Sequence, residues 1–253
     1  MKTNIIGNPN GKGIAENPEL IERLNKNTEE KKPKPDTDVT PAAGIENIGK
    51  WIILNEESLI STDKYYHNHN WHDMHKLLQS DNQFMPTLLE SNQFDKLLYD
   101  GINEKHSRVN YADGTQVPID ELKKIFNERY EVRSPWRGEC LDARFEQRED
   151  GLYILSSHIV QQDGSLKPQE EILEDTLMEN RIPGINLEEW IRNPNKHGLP
   201  KSDISSGSLY YWCPTDERVA GLDADAGRAC LCCLRNPSDS LDGFGARKIL
   251  RRK

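Results

Sequence analysis

Long apolar runs are missing from this 253-residue sequence. Its apolar stretches are of strand length or are broken by polar residues, which excludes a membrane-spanning helix as the organising element. The opening MKTNIIGNPNGKGIAENPE has no apolar h-region and no small-residue cleavage site, so no secretory signal is read there. The cytoplasm is then the default compartment, and display on a surface would need another route. A basic footprint is lacking too. Lys and Arg total 33 against 42 Asp and Glu, for a formal net charge of −9, whereas phosphate backbones are bound through clustered cations. The one basic cluster, Arg247, Lys248, Arg251, Arg252 and Lys253, reads as a solvated terminus, and nucleic acid is not expected as a partner. Cysteine is scarce and odd in number, at five. Without a signal peptide that argues against a disulfide scaffold and fits a reducing compartment. Internal repeats are absent as well.

What is present divides in two. Residues 1–45 read as a tail and linker. PELIERL has the pattern of one or two helical turns, and EEKKPKPDTDVTPAA is charged, Pro-rich and short of anything to bury. Residues 46–253 read as one α+β domain, helical in its first half and sheet-rich in its second. Trp51–Leu54 has the length of a strand. HNWHDMHKLLQS and NQFMPTLLESNQFDKLLYDGI are expected helices, the second with Pro86 in its first turn and Gly101 at its end. Pro118 opens a third, in which Leu122, Ile125, Phe126 and Tyr130 follow helical spacing. LDARFEQREDGLYILSSHIV is a hairpin turning at Asp150-Gly151. The segment through IPGINLEEWIRNPNKHGLP reads as looser, and the last fifty or so residues as short strands between Gly, Pro, Ser and Asp.

Three constellations invite chemical readings. Cys213, Cys230, Cys232 and Cys233 lack the paired spacing of a zinc knuckle, and there is no C-x-x-C redox motif. DADAG imitates the start of a calcium loop, but Leu234 stands where the bidentate Glu belongs. HNHNWHDMH gathers His67, His69, His72 and His75; of these His72 and His75 could share a helix face and are the candidate metal ligands, against the plainer reading of a polar helix start beside a core Trp71. Read as a strand, residues 229–236 send Ala229, Leu231, Cys233 and Arg235 one way and Cys230, Cys232, Leu234 and Asn236 the other. The first set suits a core face. The second, two thiols, an alkyl group and an amide, has no chemical theme.

RVAGLDADAGRACLCCLRNPSDSLDGFGARK resembles the variable region of archaeal diversity-generating retroelement proteins, and YYHNHNWHDMHKLL, FMPTLLE, ECLDARF and YYWCP resemble upstream parts of that family. The resemblance implies a C-type lectin fold, with paired N- and C-terminal strands and two helices on a small, mostly antiparallel, irregular sheet. In that family a reverse transcriptase miscopies template adenines, giving massive sequence variation at set positions. Here those positions would be Asp223, Asp225, Cys230, Cys232, Leu234, Asn236, Asp239, Leu241 and Asp242, in a variable region of about 210–253, while Ala229, Leu231, Cys233, Arg235 and Arg247 would be constant. Ala246 and Phe244 depart from the pattern, where Val and Leu would be expected.

The function so implied is ligand binding by a hypervariable surface, with no catalysis and no cofactor. Leu234, Leu241, Cys230 and Cys232 would form an apolar patch ringed by Asp223, Asp225, Asp239 and Asp242. The expected partner is a protein or cell-surface ligand with a basic rim. Two other readings compete. Formylglycine-generating enzymes use a related fold and a copper-binding cysteine pair, which Cys230 and Cys232 could imitate. The histidine cluster could instead make this a metal-binding protein.

Overall fold

The computed structural model describes residues 51–103 and 107–252. The tail and linker expected at 1–45 lie outside the described residues. In chain order the elements are β1 (Trp51–Ile53), β2 (Ser58–Ser61), α1 (Trp71–Ser80), α2 (Leu88–Asn103), α3 (Ile119–Tyr130), β3 (Arg137–Arg148), β4 (Gly151–Val160), β5 (Leu166–Ile172), β6 (Arg181–Ile185), α4 (Leu187–Arg192), β7 (Leu209–Trp212), β8 (Val219–Ala224), β9 (Ala229–Arg235), β10 (Phe244–Gly245) and β11 (Ile249–Arg251). The architecture is α+β and mostly antiparallel. It is larger than expected, with four helices among the described residues and an eight-stranded main sheet.

The main sheet runs β5-β4-β3-β8-β9-β7-β6, with β10 attached to β3; the β7–β9 and β10–β3 pairs are parallel. A second sheet, β1-β2-β11, joins the two ends of the described chain: Ile249 pairs with Ile60 and Arg251 with Ser58. Helices cover both faces of the main sheet. On one side α2 and α3 bury Phe94, Leu98, Leu122, Ile125 and Phe126 against Leu141, Ala143, Phe145, Leu222 and Leu231. On the other, α1 sets Trp71, Met74 and Leu78 against Cys140, Val219 and Phe244. Alternation along β3 therefore feeds two cores at once, as expected of strands covered on both faces.

Local chemistry explains the helix boundaries. Asn70 caps α1, its side chain accepting from the Asp73 N–H at 2.9 Å. The α2 helix begins at Leu88, later than Pro86 suggested, because Thr87 and Glu90 close a capping box: the Glu90 N–H donates to Thr87 Oγ1 (3.2 Å) and the Thr87 N–H to Glu90 Oε2 (2.9 Å). That helix also runs past Gly101 to Asn103. The segment read as looser contains β5, β6 and α4, with Asn186 capping α4.

Within the basic C-terminal cluster, Arg247 is not a solvated cation. Arg247 is 2% exposed and bridges the two sheets. Its Nε donates to Glu139 Oε2 at 3.2 Å and its Nη1 to the carbonyls of Ser61 (3.0 Å) and Thr62. Glu139 also takes Arg129 Nη1 at 2.6 Å, and Arg129 Nε lies 2.8 Å from Asp95. Burial opposes the charge on Glu139, but the Arg129 and Arg247 guanidinium groups outweigh it and hold its pKa below the usual glutamate value. Nearby, Lys248 Nζ sits 4.0 Å from the centre of the Tyr65 ring and Arg251 pairs with Glu90. Arg247 and Lys248 are thus held within the fold, and Arg251 has a partner but remains exposed.

Candidate functional site

The β8–β9 hairpin carries most of the candidate positions, and its inner face is closed. Ala220, Leu222, Ala224, Ala229, Leu231 and Cys233 are all 2% exposed or less. Cys232, on the outer face, and Leu234 are half-buried and Asn236 is exposed; in the loop that follows, Asp239 and Asp242 are exposed and Leu241 is half-buried.

Three candidate residues depart from the expectation of free, outward-pointing groups. Cys230 is 2% exposed and Asp223 9%. They lie opposite each other across β8 and β9, with Tyr210 of β7 beside Cys230 and Gly138 of β3 beside Asp223. The strands on either side therefore wall them in. The Cys230 thiol donates to Asp223 Oδ1 at 3.0 Å. Hydrogen bonding with Cys232, then burial, then the Asp223 charge push the Cys230 pKa up; burial raises that of Asp223 in turn. Asp225 is spent on the hairpin turn, its Oδ1 accepting from the N–H groups of Gly227 (2.6 Å) and Arg228 (3.0 Å).

Arg235 also departs from its expected side. Val219 pairs with Arg235 and Gly221 with Cys232, so β9 holds one more residue than β8 over this stretch. The bulge reverses the alternation and turns Arg235 to the outer face with Cys232. Its chain passes over Gly221, where a Cβ would stand 2.9 Å from Arg235 Cδ and 2.8 Å from the Glu139 carbonyl oxygen. The guanidinium carbon lies 3.4 Å from the centre of the Phe244 ring, and Nη1 is 3.8 Å from Asp223 Oδ2.

These placements produce an open groove of about 560 Å³, lined by Thr215, Arg218, Leu234, Arg235, Asn236, Asp239 and Leu241. Four of the candidate residues, Leu234, Asn236, Asp239 and Leu241, thus meet in one place. Beside β9, Tyr210 and Trp212 are half-buried, and the exposed Arg228 lies 5.8 and 6.0 Å from their ring centres. The expected acidic ring does not form. Asp223 and Asp225 are engaged internally, while Arg218, Arg228 and Arg235 contribute positive charge to the same surface.

The histidines assemble differently from the sequence reading as well. His67 and His69 are exposed before α1 and His72 is half-buried. His75 is 1% exposed and faces Asp142 of β3 and His158 of β4, not His72. His158 Nδ1 is 2.5 Å from Asp142 Oδ1, the His158 N–H donates to Asp142 Oδ2 at 3.0 Å, and His75 Nε2 stands 3.6 Å from Asp142 Oδ1. Trp71 packs edge-on against both imidazoles, with centroids 4.3 and 4.9 Å away. Burial drives the His75 pKa down to about 4, so its ring is neutral. Sequence reading missed Asp142 and His158. The available signal was the alternation in β3, which sets Asp142 on the face opposite Leu141 and Ala143.

No protein-family model, curated protein or solved structure matches the chain. Among the described residues no helix is long and apolar enough to cross a membrane.

Proposed function

We propose that this chain is a ligand-binding protein with a C-type lectin fold, whose carboxyl-terminal surface is diversified by retroelement-directed adenine mutagenesis, and that it is not an enzyme. The observation that carries the reading is the two-sided β8–β9 hairpin: its inner face is shut into the core, while Leu234, Asn236, Asp239 and Leu241 line a single open groove. Paired terminal strands β2 and β11 support the same fold.

The physics is a division of labour. Exposed substitutions usually change stability by no more than about 0.5 kcal/mol, whereas emptying a core position costs roughly 2–5 kcal/mol. Strand alternation keeps the two classes on opposite faces as far as Cys233, and the bulge and the loop beyond it carry the remaining variable positions. The residues free to vary are then Cys232, Leu234, Asn236, Asp239, Leu241 and Asp242. Asp223, Asp225 and Cys230 vary only where a replacement satisfies the same internal bonds. Affinity comes from a few apolar or aromatic anchors that a given variant places in the groove, on a rigid scaffold of the kind that carries antibody loops. The partner is a protein or cell-surface ligand offering charge of both signs, because the groove holds Arg218, Arg235 and Asp239 together.

The deciding observation is genomic. A near-copy of the final coding segment should lie beside a reverse-transcriptase gene, differing at template adenines that fall in the codons for the six free positions. Absence of such a copy, or differences concentrated in codons for Leu222, Leu231 and Cys233, would contradict the proposal.

A further inference from the structure

The buried cluster on the α1 side of the main sheet has the makings of a metal site. His75, Asp142 and His158 each offer one ligand atom, those atoms lie within 4.8 Å of one another, and all three residues are buried. Three features set the cluster apart from an ordinary satisfied core histidine.

The first is an unmet demand. Neither ring nitrogen of His75 has a hydrogen-bond partner, although the residue is 1% exposed. A buried polar group left unpaired is costly, and native structures rarely tolerate one without a reason.

The second is how His158 is aimed. Residues 144–148 of β3 pair regularly with 151–155 of β4, but the β4–β5 register shifts between Ser156 and Ile159. Ser157 sits at φ +53°, a left-handed conformation unusual for a residue other than glycine. This irregularity turns His158 inward onto Asp142. Local strain of this kind gathers at functional sites.

The third is spacing. Metal–ligand bonds of about 2.0–2.1 Å in a tetrahedron put neighbouring ligand atoms about 3.3 Å apart. His75 Nε2 and Asp142 Oδ1 are 3.6 Å apart, close to that edge. His158 Nδ1 and Asp142 Oδ1, at 2.5 Å, lie closer than that edge. With an ion between them the neutral His158 ring presents its Nδ1 lone pair to the metal and carries its single hydrogen on Nε2, and the pair opens by somewhat less than 1 Å.

We propose that His75 Nε2, Asp142 Oδ1 and His158 Nδ1 bind one late first-row divalent cation, zinc in the first instance. Two imidazoles and one carboxylate form a borderline nitrogen–oxygen donor set suited to that class and not to calcium or magnesium. Water or hydroxide fills the fourth position. Trp71 closes the site on one side, so the ion's role is structural: it ties α1 to the β3–β4 hairpin.

The test uses the full chain, stripped with chelator, desalted and titrated with zinc chloride. The expected result is one ion per chain with a raised melting temperature, binding weakened at least tenfold in His75→Gln and in His158→Gln, and unchanged in the double variant His69→Ala/His72→Ala. No stoichiometric binding would overturn the proposal. So would binding that survives His75→Gln but disappears with the exposed histidines. If the glutamine variants fail to fold by circular dichroism, X-ray absorption at the zinc edge of the loaded wild type decides: a nitrogen and oxygen shell with two imidazoles supports the site, and a sulfur shell assigns the ion to the cysteines and refutes it.

Discussion

Arg235 Nη1 stands 3.8 Å from Asp223 Oδ2, and each side chain is 11% exposed. The pair exists because a bulge in β9 turns Arg235 outward, over Gly221 and against Phe244. Asp223 is thus a floor residue beneath the binding surface. Its replacement by Ala removes the acceptor of the Cys230 thiol and leaves Arg235 short of a counter-charge, at an expected cost of about 1–3 kcal/mol. Asp239→Ala, in the exposed loop, is expected to stay within about 0.5 kcal/mol of wild type. Urea unfolding of the two variants checks the contrast.

The same hairpin predicts a parity rule. Leu231, at 0% exposure, should cost about 2–5 kcal/mol when cut to Ala. Leu234, three residues on and half-buried in the groove wall, should cost under about 1 kcal/mol by the area it still shows to solvent. Equal losses at the two positions would mean that the outer face is part of the core.

Thiol reactivity follows burial and charge. Cys232 is half-buried, and the Cys230 hydrogen bond lowers its pKa, so it carries the most thiolate. Burial pushes Cys140 up to about 11 and Cys233 well above the ordinary value. Brief alkylation of the native protein at neutral pH should mark Cys232 first and Cys213 more slowly, and should reach Cys140, Cys230 and Cys233 only after unfolding. Peptide mass mapping reads the order, and early labelling of Cys230 would contradict it.

Copper separates binding protein from enzyme. Cys230 and Cys232 share one face of β9, but Cys230 is spent on Asp223. Titration with Cu(I) should give no tight one-to-one complex. Stoichiometric binding lost in Cys232→Ser would favour the cysteine–copper enzyme instead.

Arg247 predicts a stability effect far larger than a terminal cation usually has. Its removal leaves Glu139 with one fewer buried counter-charge and frees two carbonyls of the β2 end. Arg247→Ala is expected to cost about 3–5 kcal/mol, against less than about 1 kcal/mol for the exposed Arg218→Ala.

Much of this fold is legible wherever pattern and turn chemistry agree. Asp150-Gly151 between alternating runs marks the β3–β4 hairpin, and the spacing of Leu122, Ile125, Phe126 and Tyr130 marks α3 and its buried face. The alternation of β9 is readable as far as Cys233 and then fails at Arg235, because a bulge depends on the partner strand's count and leaves no mark in its own strand. Strands β5 and β6 are edge strands rich in charged, Pro and Gly residues, so no apolar alternation announces them. Arg247 reads as a surface cation because its partner, Glu139, is 108 residues away in sequence. The histidine cluster is half-legible for the same reason: His75 stands out within its helix, but Asp142 and His158 reach it only through the sheet.

The most direct test of the central claim is a library randomised together at Cys232, Leu234, Asn236, Asp239, Leu241 and Asp242, scored by protease resistance and thermal melting. A tolerant surface predicts that most members fold with melting temperatures near wild type and that some bind protein or cell-surface targets. A library in which most members unfold would contradict it.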